Sequence, residues 1–136
     1  MRKRTKAREC ALQLLYKYDM TNEALGDLES FWASQDEAGD EVKDFTGKLV
    51  SGTIENLSQL DKKIASYATN WQLKRMAVVD RNVLRIGAYE LMFLDDVPAK
   101  VSINEAVDLA KKYSGEESGK FVNGILDRIR EESGKS

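Results

Sequence analysis

The sequence predicts an all-α bundle of seven helices, or six if two merge. Proline occurs once, at Pro98, the alternation of half-buried strands is nearly absent, and apolar residues recur at helical spacing along the chain. At 136 residues, a single domain with a proper core is the expected organisation.

Thr5 is placed to cap a first helix, in which Ala7, Cys10, Ala11, Leu14, Leu15 and Tyr18 form one apolar stripe. Gly26-Asp27 precede a short helical segment with Leu28, Phe31 and Trp32. Gly39-Asp40 restart the pattern, with Val42, Phe45, Leu49 and Gly52 on one face. Ser58 followed by Asp61 resembles a capping signal for a helix carrying Leu60, Ile64 and Tyr67, and Asn70 and Trp71 lie in the next break. From about Met76 to Leu94 the chain is apolar on several sides, which suits the centre of a bundle. Gly87 in its middle costs about 1 kcal/mol relative to alanine, a choice explained if another helix crosses closely there. Asp95-Asp96-Val97-Pro98 end that helix. Ser102-Ile103-Asn104-Glu105 reads as a capping box opening a helix with Ile103, Ala106, Val107 and Ala110. Residues 115–119 read as a loop, a last helix runs through Phe121, Val122, Ile125, Leu126 and Ile129, and the tail Glu131–Ser136 reads as frayed.

Composition narrows the function. The chain has no histidine, the commonest general base and metal ligand, and its single cysteine, Cys10, reads as a small buried hydrophobe. The only close carboxylate pairs, Asp95-Asp96 and Glu116-Glu117, sit where acids are usually solvated, and no phosphate-binding loop or metal-ligand spacing occurs. The expectation is a binding protein, not an enzyme, with no cofactor and no metal. No stretch approaches the roughly 20 apolar residues of a membrane span, and the basic start is not followed by a signal-peptide apolar block. A soluble, cytoplasmic protein is expected. Charge is uneven: residues 1–20 carry six basic and two acidic side chains, residues 23–44 one basic and eight acidic. Such asymmetry suggests opposite faces with different partners.

Four patches carry a family resemblance: Ala7–Tyr16 (ARECALQLLY), Val79–Ile86 with Ala88–Leu91, Pro98–Tyr113 (PAKVSINEAVDLAKKY) and Lys120–Asp127 (KFVNGILD). In this order they resemble the NusB family of transcription antitermination factors over nearly the whole chain. The same helical fold serves some ribosomal-RNA cytosine methyltransferases as an amino-terminal domain, but the chain ends soon after Asp127, which favours the free-standing form. The resemblance implies two packed helical sub-bundles, about 5–70 and 73–131, with a flexible basic arm 1–4 and a tail 132–136. It implies binding to the boxA element of nascent ribosomal-operon RNA, as a single strand. It also implies pairing with the small-subunit ribosomal protein that acts as NusE, inside an RNA polymerase antitermination complex.

The candidate RNA contacts are Arg2, Lys3 and Arg4 on the arm, Lys6 and Arg8 at the first turn, and Lys120, Phe121 and Asn123 near the last helix. Cations meet phosphates, arginine and phenylalanine stack on unpaired bases, and an amide reads base edges. The alternatives are a solvated terminus, Phe121 as a core anchor and Asn123 as a loop cap. Glu116 and Glu117 sit awkwardly beside RNA, and Lys111-Lys112 are explained by the helix dipole alone. Tyr16, off the main stripe, and Asp80 are the candidate contacts for the ribosomal-protein partner, although Asp80 also suits the start of the central helix. Arg81, Arg85 and Glu90 are expected in structural ion pairs, and Glu105 is expected to be structural through the capping box. The competing reading is a helical protein-interaction scaffold without RNA specificity; monomer and homodimer both remain open.

Overall fold

The computed structural model describes residues 2–23, 25–26, 28–35, 38–68 and 72–135. The predicted turn residue Asp27 and the predicted break at Asn70 and Trp71 lie outside the described residues, as do Met1 and Ser136. Among the described residues there are seven α-helices and no strand. They are α1 (Lys3–Thr21), α2 (Leu28–Ala33), α3 (Asp40–Glu55), α4 (Leu57–Tyr67), α5 (Val78–Phe93), α6 (Ala99–Tyr113) and α7 (Glu116–Ser133), with a 3₁₀ turn at Leu73–Arg75. None of these helices is long and apolar enough to cross a membrane.

The apolar helix, α5, is central as expected: it packs against α1, α3, α4, α6 and α7. Ala7, Cys10, Ala11, Leu14 and Leu15 are buried, whereas Tyr18 is half-buried. Leu12, Arg8 and Glu9 are buried as well. A single stripe did not anticipate them, because α1 packs on both α3 and α5 and also reaches α6 through Arg8 and Glu9. Gly87 marks the predicted close crossing: a Cβ there would lie 2.6 Å from Cδ1 of Leu126 on α7. Gly52 of α3 is tighter still, with a would-be Cβ 2.2 Å from Cζ of Tyr89.

Several helix ends differ from expectation. α1 begins at Lys3 with Arg2 as N-cap, so Lys3 and Arg4 belong to its first turn rather than to an arm. Thr5 lies inside the helix, its hydroxyl bonded to Glu105. α6 begins one turn before the presumed capping box, after Pro98, whose carbonyl accepts from the Ser102 amide at 3.2 Å. Proline suits this position because the amide it lacks has no helical partner there. Ser102 Oγ instead donates to Glu90 at 2.8 Å, and Glu105 accepts from Arg8 at 3.0 Å. α4 likewise begins before Ser58, and Asp61 accepts both bonds of a fork from Arg85. Residues 116–119 form the first turn of α7, the reversal being made by Gly115 at φ 126°. The tail is held where fraying was expected. α7 runs to Ser133, and Lys135 Nζ donates to the carbonyls of Glu90 and Leu94 at 3.0 and 2.5 Å, at the carboxyl end of α5.

Candidate nucleic-acid and partner interface

The first turn of α1 gathers the basic residues on one exposed edge. Arg2 and Lys3 side chains are 81% and 71% exposed, and Arg4 is 45% exposed. Each meets a carboxylate: Arg2 with Glu105 at 3.6 Å, Lys3 with Glu41 at 3.2 Å and Arg4 with Asp96 at 3.5 Å. The Arg4 guanidinium also lies over the Phe45 ring, 4.3 Å from its centroid. Together these groups border a cleft of about 410 Å³ between α1, α3 and the α5–α6 turn. Lys6 follows one turn on, half-buried and without an ion pair to any described residue.

Arg8 does not join this edge, contrary to expectation. Its side chain is 3% exposed; Nε and Nη2 donate to Glu90 at 2.8 and 2.7 Å, and Nη1 donates to Glu105 at 3.0 Å. Burial alone would lower its pKa, but Glu90 and Glu105 together outweigh that and raise it. A permanently charged group buried among carboxylates is a structural tie, and it lies at the floor of the cleft rather than on its exposed rim. The pairs expected for Arg81, Arg85 and Glu90 are present: Arg81 donates to Asp19 at 2.8 Å, and Arg85 binds Asp19 and Asp61. Glu105 is structural, through Arg8 and Thr5 rather than through a capping box. Lys112 ties α6 to α1 by donating to Glu9 at 2.6 Å.

At the start of α7, Lys120 is exposed and lies 3.6 Å from Glu117, Asn123 is exposed and Phe121 is half-buried. Phe121 borders a cleft of about 390 Å³ with Met76, Ala77, Asp80, Glu117 and Ser118. Sequence reasoning gave Asp80 and Phe121 to different partners; the fold places them in one cleft. Asp80 Oδ2 accepts from Ser118 at 3.1 Å, while its Oδ1 is buried without a hydrogen-bond donor among the described residues. Tyr16 is 42% exposed on α1, and Met20, one turn further, is 59% exposed. An exposed tyrosine beside an exposed methionine is interface-like chemistry.

Sequence reasoning missed Glu41 and Asp96 beside the basic edge. Asp96 read as half of a solvated acid pair, and Glu41 as one of an acidic block. The complementary charges of residues 1–20 and 23–44 were the only available signal, and charge alone gives no partner.

An all-helical fold with a cationic helix end and a separate mixed cleft defines a helical binding protein. Comparison with known proteins makes this specific. The profile of the NusB family matches residues 5–131. Transcription antitermination protein NusB of Thermodesulfovibrio yellowstonii is 44% identical over 96% of this chain and 93% of its own length. T. maritima NusB matches with a TM-score of 0.82 at 42% identity, covering 95% of this chain and 91% of that one. A crystal structure of antitermination factors NusB and NusE in complex with double-stranded RNA contains a chain matching with a TM-score of 0.87 at 32% identity, over 97% of this chain and 98% of that one. The chain belongs to the NusB family, a family of transcription antitermination factors and not of enzymes.

Proposed function

We propose that this chain acts in the cytoplasm as an antitermination factor that binds boxA-type RNA together with the ribosomal protein acting as NusE, inside an RNA polymerase antitermination complex. The observation that carries this reading is the exposed edge of Arg2, Lys3 and Arg4 on one helical turn. Phosphates meet these cations and Lys6, while Lys120, Phe121 and Asn123 supply a second RNA contact by charge, stacking and base-edge hydrogen bonding. Arg8 supports the fold beneath. Tyr16 and Asp80 contact the protein partner, and the cleft that Asp80 shares with Phe121 supports a reading in which the two ligands are bound side by side. Engaging both makes the second contact intramolecular and strengthens the first. The solved NusB–NusE–RNA complex of a related chain supports both partners.

The test is fluorescence anisotropy with a boxA-type single-stranded RNA, its duplex form and a scrambled control, with and without the ribosomal protein, across a salt series. Neutralisation of four phosphates gives a log–log salt slope of about −2.8, at roughly −0.7 per phosphate of a single strand. Equal affinity for all three RNAs, alone and with the partner, would leave a helical scaffold without RNA specificity.

A further inference from the structure

We propose that the cleft at the start of α1 is a pocket for one unstacked guanine of the bound RNA, read by the carboxylates of Glu41 and Asp96. The proposal rests on the RNA-binding reading above and adds a base specificity to it. A surface built only to hold phosphate gains nothing from acids, yet every cation of the first turn has one beside it: Lys3 with Glu41, Arg4 with Asp96 and Arg2 with Glu105. The cleft between them is not wholly polar. Val97, Pro98 and Val101 line it, and Val101 is 39% exposed, so apolar surface lies among the charged groups. At about 410 Å³ the space admits a nucleobase. Arg4, held over the Phe45 ring and still 45% exposed, adds a planar group suited to stacking.

The ion pairs at the rim are made to be exchanged. Glu41 and Asp96 side chains are 61% and 59% exposed, and such pairs contribute about 0–1 kcal/mol each. An incoming phosphate takes over Lys3 or Arg4, and the released carboxylate, Glu41 or Asp96, turns to the base. A carboxylate offers only acceptors. Guanine alone presents two neighbouring N–H donors on its Watson–Crick edge, the ring N1–H and the exocyclic amine, which match two carboxylate oxygens. Cytosine and adenine set an acceptor nitrogen beside their amine, and uracil sets its single N–H between two carbonyls; each would turn a lone pair towards the acid.

Binding of a guanine-containing boxA-type RNA is measured by anisotropy, with each guanine in turn replaced by inosine, which lacks the exocyclic amine. Replacement at one position should weaken binding to the unmodified protein about fivefold, the lower range for a bidentate base contact. The double variant Glu41→Gln, Asp96→Asn should still bind RNA and lose that preference, because an amide presents one donor and one acceptor. Both side chains are exposed, so the variant folds, and its circular dichroism should match the parent. Inosine tolerated at every position, a preference for cytosine in its place, or an unchanged preference in the double variant would overturn the pocket. In each of those cases retained binding, weakened by Lys6→Gln, keeps the RNA-binding reading standing. No RNA binding at all, even with the ribosomal protein present, would overturn both.

Discussion

Arg8 and Glu90, 82 residues apart in sequence, form a two-bond fork with side chains 3% and 1% exposed. The fork joins α1 to α5, and Glu105 and Ser102 bring α6 into the same cluster. Arg8→Ala leaves Glu90 buried with no counter-charge and Glu105 with only the exposed Arg2, and a buried pair broken from one side costs about 3–5 kcal/mol. Urea unfolding followed by circular dichroism should show a loss of that size. Arg8→Lys keeps the charge without the fork and should recover only part of it. A loss below about 1 kcal/mol for Arg8→Ala would mean that water reaches the cluster.

Asp19 predicts the acid limb of the stability curve. Burial alone would raise its carboxyl, but hydrogen bonds from Arg81 and Asn82 and the charges of Arg85 and Arg81 together hold it below the usual carboxylate range. A carboxyl with a lowered folded pKa contributes stability above its unfolded pKa, about 3.9 for Asp. That contribution is lost as pH falls through the folded value. Urea midpoints should therefore drop steeply below about pH 4. Asp19→Asn should be less stable than the parent at neutral pH, with the difference shrinking towards pH 2. A constant difference would remove Asp19 from the acid transition.

The tightest helix crossing predicts a ranking. Alanine at a helical glycine gains up to about 1 kcal/mol of propensity. Gly52→Ala, however, drives a methyl into the end of the buried Tyr89 ring, which is itself stacked on Phe93 at 5.5 Å. The net result should be destabilisation of about 1–3 kcal/mol. Gly87→Ala meets the outer methyls of Leu126 at the longer distance of 2.6 Å and should cost less. Thermal denaturation of the two variants decides the order, and a Gly52→Ala protein as stable as the parent would show that Tyr89 swings freely.

What the sequence revealed follows the physics of each signal. Helical period and apolar density located every helix, and the all-round apolar character of residues 76–94 identified α5 as central. Gly87 announced a crossing because glycine in a helix needs a reason. Long-range polar pairing was hidden. Arg8 in a basic run reads as exposed, and only Glu90 and Glu105, brought by α5 and α6, explain its burial. Ser102 and Glu105 have capping-box spacing, but Pro98 starts the helix a turn earlier and frees both for the cluster. Lys135 looked like a loose tail residue because its acceptors are backbone carbonyls of another helix, which leave no mark in sequence. At the candidate site, the cations of the first turn were legible as residues, while the acids paired with them were not.

The exposed face of α1 yields the last prediction. Tyr16 is outside the buried core, 42% exposed, with Met20 one turn beyond. Tyr16→Ala should leave the melting temperature unchanged. If this face receives the ribosomal protein acting as NusE, the ring is a central contact of the interface, and its removal should weaken binding about tenfold or more in titration calorimetry. Asp80→Asn tests the second candidate contact: Asp80 lines the cleft with Phe121, and exchanging its charge should weaken binding of the protein partner while leaving the salt slope of RNA binding unaltered. RNA affinity measured without the ribosomal protein should be the same for Tyr16→Ala and the parent, whereas the gain on adding that protein should disappear. Loss of RNA affinity in its absence would instead place Tyr16 on the RNA face and move the protein partner to another surface.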